Sequence, residues 1–187
     1  QLVSAFLPPH ALPKLDFRRH GVPADCRTAV VIPTLFADVA GVREALANLE
    51  VQYLANREAN LHFALLGDFT DSPTEVREGD DAIVAAAVEG VRALNARHAP
   101  EAGDAFYVFI RPRRWNAQQG TWMGWERKRG KLSEFNHFVR GGAEGAFSTI
   151  EGNTAPLARV RYVITLDSDT VLPPDEAPAL GDRKSVV

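Results

Sequence analysis

Apolar residues along this chain fall into short runs separated by stretches of helical spacing. Thr28-Ala29-Val30-Val31-Ile32-Pro33 is a β-branched run closed by proline, the pattern of a strand buried on both faces. From Asp38, placed as an N-cap, Val39, Val42, Leu46, Leu49 and Tyr53 recur at steps of three and four, which predicts an amphipathic helix. Leu61-His62-Phe63-Ala64-Leu65-Leu66 predicts a second strand, stopped by the turn formers and carboxylates of Gly67-Asp68-Phe69-Thr70-Asp71-Ser72-Pro73. Val84, Ala87, Val88, Val91 and Leu94 line one face of a second helix, which has to end before Pro100. Phe106-Tyr107-Val108-Phe109-Ile110 and Tyr162-Val163-Ile164-Thr165-Leu166 predict a third and a fourth strand. Strands parted by helices imply an α/β fold with a mostly parallel sheet flanked by helices, in which ligands gather at the carboxyl ends of the strands.

The composition is that of a globular domain: 187 residues, 45% apolar and 24% charged. A net charge of -3 gives no overall basic field for nucleic acid or an anionic surface, so anion binding has to come from a local cluster. The single Cys26 excludes an internal disulfide and a thiolate zinc site, and the five histidines lack metal-ligand spacing. No run approaches the roughly 18 to 20 apolar residues of a membrane span, and the N-terminus lacks the layout of a signal peptide. Residues 1–27, punctuated by Pro8, Pro9, Pro13 and Pro23, read as an extended lead-in or linker. Residues 182–187, Asp182-Arg183-Lys184-Ser185-Val186-Val187, resemble the translation of a sequencing adapter and are expected to be a non-native tail.

Three groups of residues carry candidate chemistry. Asp167-Ser168-Asp169-Thr170 places two carboxylates two positions apart after the fourth strand, where alternating side chains share a direction. Hard oxygen ligands so placed suit Mg²⁺ or Mn²⁺ bridging a diphosphate, although turn-forming aspartates give the same spacing. Arg111, Arg113, Arg114, Arg127, Lys128, Arg129 and Lys131 supply a third of the basic residues within one stretch, together with Trp115, Trp122 and Trp125. Such a stretch can neutralise phosphates and pack indoles on a base or a sugar, can hold single-stranded nucleic acid, or can be a hydrogen-bonded loop with a solvated edge. Gly120, Gly124 and Gly130 fit a loop folding close over a ligand. Asp68 and Asp71 follow the second strand, where a carboxylate can accept from a ribose hydroxyl or a base N–H; Asp71, before Ser72-Pro73, fits turn chemistry better. The chain has no Ser-His-Asp set, Walker loop or dinucleotide glycine fingerprint.

In this order, an Ile32-Pro33-Thr34 strand end, acids after the second strand, a Lys/Arg-Gly stretch and a DxD resemble the family 2-like GT-A glycosyltransferases. Longer strings are similar to the family 84 glycosyltransferase domain of cyclic β-1,2-glucan synthases. They are Leu12-Pro13-Lys14-Leu15-Asp16-Phe17, Cys26-Arg27-Thr28, Arg111-Pro112-Arg113-Arg114-Trp115-Asn116, the run Trp122 to Lys131, and Leu166-Asp167-Ser168-Asp169-Thr170. Ser168 departs from the Ala common between the two aspartates. The resemblance implies a Rossmann-like GT-A domain over residues 28–181, incomplete at its C-terminus, that transfers glucose from UDP-glucose with inversion to a growing β-1,2-glucan. It implies Asp167 and Asp169 on Mg²⁺ or Mn²⁺, Asp68 against the nucleoside, and Lys128 with Arg127 or Arg129 facing the phosphates. It further implies a glucan acceptor, no nucleic-acid partner, a general base downstream of the DxD, and membrane helices and a phosphorylase-like domain in the same inner-membrane polypeptide, this domain on the cytoplasmic side. The segment alone is then expected to bind donor weakly and not to turn over.

Overall fold

The structure, a computed structural model, describes residues 21–98, 103–142 and 144–167. Asp169, most of the lead-in and the tail at 182–187 lie outside the described residues. The chain order is β1 (Thr28–Phe36), α1 (Val39–Ala55), β2 (Leu61–Phe69), α2 (Asp80–His98), β3 (Phe106–Arg111), β4 (Arg114–Asn116), β5 (Thr121–Met123), α3 (Arg127–Val139), β6 (Thr149–Glu151) and β7 (Tyr162–Thr165). Five strands form one sheet in the order β6-β3-β2-β1-β7, with β3, β2, β1 and β7 parallel and β6 antiparallel at one edge. The α/β class and the mostly parallel sheet expected from the hydrophobic pattern are both present. β4 and β5 form a separate hairpin, tied back to the loop after β2 through paired backbone hydrogen bonds between Ser72 and Trp122.

Alternation along the strands sorts the core onto two faces. Val30 and Ile32 of β1, Phe63 and Leu65 of β2, and Val108 and Ile110 of β3 meet Val42, Leu46 and Leu49 of α1 and Ile83, Ala87 and Val91 of α2. Ala29 and Val31, Ala64 and Leu66, Tyr107 and Phe109 face the other way, onto Phe135 of α3, Phe147 and Leu157. Asp38 caps α1, its Oδ1 accepting from the Gly41 N–H at 2.8 Å. The buried face of α2 runs through Ile83, Ala87, Val91 and Leu94, with Val84 and Val88 at its margin. Near the end of α2, Asn95 accepts from the Ala105 and Phe106 N–H groups and donates to the Phe106 carbonyl, closing the start of β3. At the end of the lead-in, Ala24–Cys26 make one 3₁₀ turn, and Val22 and Cys26 are buried.

Two expectations are corrected. β1 and β2 run on past Pro33 and Leu66, so Gly67 and Asp68 belong to the sheet, paired with Thr34 and Leu35, rather than to a loop. Gly67 permits this, because a Cβ there would lie 2.2 Å from the Phe36 ring. Pro33 is tolerated because its missing N–H falls on the β7 side, past Thr165, the last β7 partner of β1. The second correction concerns Arg127 to Lys131, expected within a loop; they open α3, which Leu132, Phe135, Phe138 and Val139 hold against the sheet. Their charged prefix hides the helical period that begins only at Leu132.

Candidate functional site

The sheet reverses its direction of growth at β1: β2 and β3 build to one side and β7 to the other. In such a sheet ligands gather at the carboxyl ends of the central strands. A cleft of about 290 Å³ opens there, lined by Pro33, Thr34 and Leu35 from β1, Asp68, Phe69 and Asp71 from β2 and its loop, and Gly124, Arg127, Lys128 and Lys131 at the start of α3.

Its floor is a buried ion cluster. Asp68 and Arg111 are cross-strand partners in the β2–β3 register, and both lie on the α3 face, two residues beyond Leu66 and Phe109. Arg111 Nε and Nη2 donate to Asp68 Oδ1 and Oδ2 at 2.7 and 2.8 Å, a bidentate pair with both residues 3% exposed. Lys131 Nζ lies 3.0 Å from Asp68 Oδ2 and donates to the Thr34 carbonyl at 2.9 Å, joining the ends of β1 and β2 to α3. Glu134, one turn on, accepts from Arg111 Nη1 at 2.7 Å. Two acids face two buried bases, and half-exposed Arg114 approaches the other oxygen of Glu134 at 3.4 Å. Burial pulls the Lys131 ammonium below its ordinary range, and the Asp68 carboxylate opposes that. Burial disfavours the Arg111 cation as well, yet Asp68 and Glu134 hold its pKa above the usual value. Gly124 admits this packing, since a Cβ there would stand 2.5 Å from Asp68 Oδ2.

Arg113 is also consumed inside the protein. It donates to both oxygens of buried Asp80 and to the Thr70 and Glu75 carbonyls, pinning the loop between β2 and α2. Of the seven basic residues in the stretch, Arg111, Arg113 and Lys131 are thus buried in ion pairs. Arg127 and Lys128 are the cations that reach the cleft mouth. Arg127 Nη2 donates to Asp71 Oδ2 at 2.8 Å, and Lys128 Nζ donates to Asp167 Oδ1, beyond the end of β7. All four side chains keep solvent contact. Arg129 projects outward, its side chain 86% exposed and paired with Glu126, and does not line the cleft.

Asp68, Arg127 and Lys128 therefore line one cleft, with Asp167 beside it on Lys128 and Asp68 turned into the floor rather than standing free. Sequence reasoning missed Glu134, and it left Arg111 and Lys131 within a basic stretch of open role, without the ion cluster they form. The signal was available in strand parity, which puts Asp68 and Arg111 on one face, and in the Lys131–Glu134 spacing of one helical turn. As for a divalent ion, no group of three or more potential ligands occurs among the described residues. Asp167 nonetheless fits one: it is an exposed hard oxygen donor at a strand end, already drawing a cation in Lys128.

No family model matches the chain. Over 152 residues, 81% of its length, it is 43% identical to the cyclic beta-(1,2)-glucan synthase NdvB of Rhizobium meliloti (strain 1021). The matched stretch amounts to 5% of that protein.

Proposed function

Since the chain is a homologue of one segment of a cyclic β-(1,2)-glucan synthase, we propose that it forms the donor side of a glucosyltransferase site, where UDP-glucose is held for inverting transfer to a growing β-1,2-glucan. The observation that carries this reading is the pairing of Asp167, after β7, with Lys128, which lines the strand-end cleft together with Arg127 at the start of α3. Asp167 and Asp169 would hold Mg²⁺ or Mn²⁺, which supplies charge neutralisation to the diphosphate when bound. Lys128 and Arg127 lie where negative charge grows on the departing nucleotide, and cations fixed there lower the barrier. Arg129, turned outward onto Glu126, is left out of the phosphate set. Asp68 forms the floor on which the nucleoside rests. The carboxylate that activates the acceptor hydroxyl is assigned to another part of the longer polypeptide, as are the glucan-holding surfaces and the membrane anchorage that would place this domain on the cytoplasmic side of the inner membrane.

Calorimetric titration tests the reading. The chain is expected to take up UDP in a manganese-dependent manner. Lys128→Met is expected to weaken that uptake about tenfold, the loss of one charge-assisted contact. Asp167→Asn is expected to remove the manganese dependence while leaving the melting temperature unchanged. Uptake of UDP by wild type that is indifferent to manganese and to both substitutions would overturn it.

A further inference from the structure

The guanidinium of Arg111 uses all five of its N–H donors inside the protein. Besides the bidentate pair with Asp68 and the bond to Glu134, Nη1 donates to the Trp125 carbonyl at 3.0 Å and Nη2 to the Arg127 carbonyl at 3.1 Å. Those two carbonyls bracket Glu126. Glu126 and Arg127 are the two non-glycine residues with positive φ among the described residues, at 48° and 46°. Left-handed backbone is unfavourable for such side chains and persists only where the surroundings impose it. Here the surroundings are one planar fork, anchored to β2 through Asp68 and to α3 through Glu134. The two left-handed residues turn the chain from the β5 hairpin into α3, so that Arg127 and Lys128 start the helix at the cleft mouth and Lys131 reaches its floor.

We propose that Arg111 is a positioning residue: by clamping the Trp125 and Arg127 carbonyls it holds the left-handed turn that aims Arg127 and Lys128 into the cleft. It touches no ligand itself. The proposal rests on the donor-site reading for its consequence, weaker diphosphate binding when the clamp is lost, but not for the clamp. A lysine at this position keeps the charge and loses the fork, having three donors on one atom rather than five in a plane.

The test compares the full chain as wild type, Arg111→Lys, Glu126→Gly, and the double variant. Glycine adopts positive φ without strain, so Glu126→Gly makes half of the turn independent of the clamp. In Arg111→Lys, amide exchange over residues 128–131 is expected to rise about tenfold relative to α1, as a local opening. UDP affinity is expected to fall about tenfold, with both cations still present. In the double variant most of the affinity and the slow exchange are expected to return, while the melting temperature stays at the lowered value of Arg111→Lys. Glu126→Gly alone is expected to bind UDP as wild type does. A merely stabilising Arg111 would move affinity and melting temperature together, with no rescue, and that result overturns the proposal. So does unchanged exchange in Arg111→Lys. If Arg111→Lys does not fold, wild type decides the clamp: the amides of residues 128–131 are expected to exchange as slowly as the central turns of α1, and faster exchange there overturns the proposal. Should wild type take up no UDP, the donor-site reading fails, and the exchange measurement still decides the clamp.

Discussion

Asp68 shows how a single carboxylate can be legible in kind and misread in setting. Its position at the end of an apolar strand marked it as a site residue, but a free carboxylate was expected and a buried hub was found. What separates the two is the side of the sheet on which its neighbours fall. With Asp68 replaced by Asn, Lys131 would lose its carboxylate partner and Arg111 would keep only Glu134, which also faces Arg114. The expected cost is about 3–5 kcal/mol in urea denaturation, the range for breaking a buried pair by removing one partner. By contrast, Arg127→Ala breaks only the solvent-exposed pair with Asp71 and is expected to cost less than about 1 kcal/mol. His62, one of the five histidines without metal-ligand spacing, lies in the core: it is 3% exposed, and its Nε2 has no hydrogen-bond partner. Burial pushes its pKa from the ordinary 6.5 down to about 4. As pH falls through that window the unfolded chain binds a proton that the folded chain refuses. Stability is therefore full above pH 6.5 and declines toward pH 4, by at most about 3 kcal/mol. Melting temperatures recorded across the window should flatten in His62→Phe.

Elements built on uninterrupted apolar periodicity were readable: β1, α1, the first part of β2, α2 and β3 lie where the pattern put them. Those that escaped are held by contacts from elsewhere in the chain. β4 and β5 are three residues each, too short for period to register, and depend on Ser72 for anchorage. β6 pairs antiparallel at the sheet edge with half-buried side chains, a placement set by its partner β3 and not by its own three residues. α3 begins with four charged residues and a glycine among five, and its apolar face comes later. Gly130 in that first stretch looked like a loop glycine but answers to packing: a Cβ there would stand 2.0 Å from the Trp125 carbonyl oxygen and 2.9 Å from Arg111 Nη1. Neither neighbour is the loose end of a flexible chain. Gly130→Ala is accordingly expected to cost about 1–3 kcal/mol, the range for overpacking a fixed interior, and to disturb the start of α3. Gly145→Ala, where an added Cβ would meet nothing within 4 Å, is the control and should change stability by less than about 0.5 kcal/mol.

For the molecule as a whole, strand-helix alternation sufficed to give the class of the fold and to direct attention to strand ends. The strand order had to come from the structure, because which side of β1 receives β7 depends on how the long intervening stretch packs. The same order explains why the strands leading to Asp68 and to Asp167 differ in firmness. β2 and β3 are buried along their whole length, whereas β7 pairs with β1 over four residues at the other edge of the sheet, and its side chains are half-buried or exposed. Opening free energies in a protein follow such differences, so β7 should be among the first strands to fray and β2 among the last. Asp167 hangs from the strand that frays; Lys128 sits on a helix cross-braced to the strand that does not. A molecule gripping both would splice the loose margin of the sheet to its keel, and part of its binding energy would go into quieting that margin. The trace it leaves would be a slowing of deuterium uptake confined to Tyr162–Thr165, largest in chains that start out most frayed.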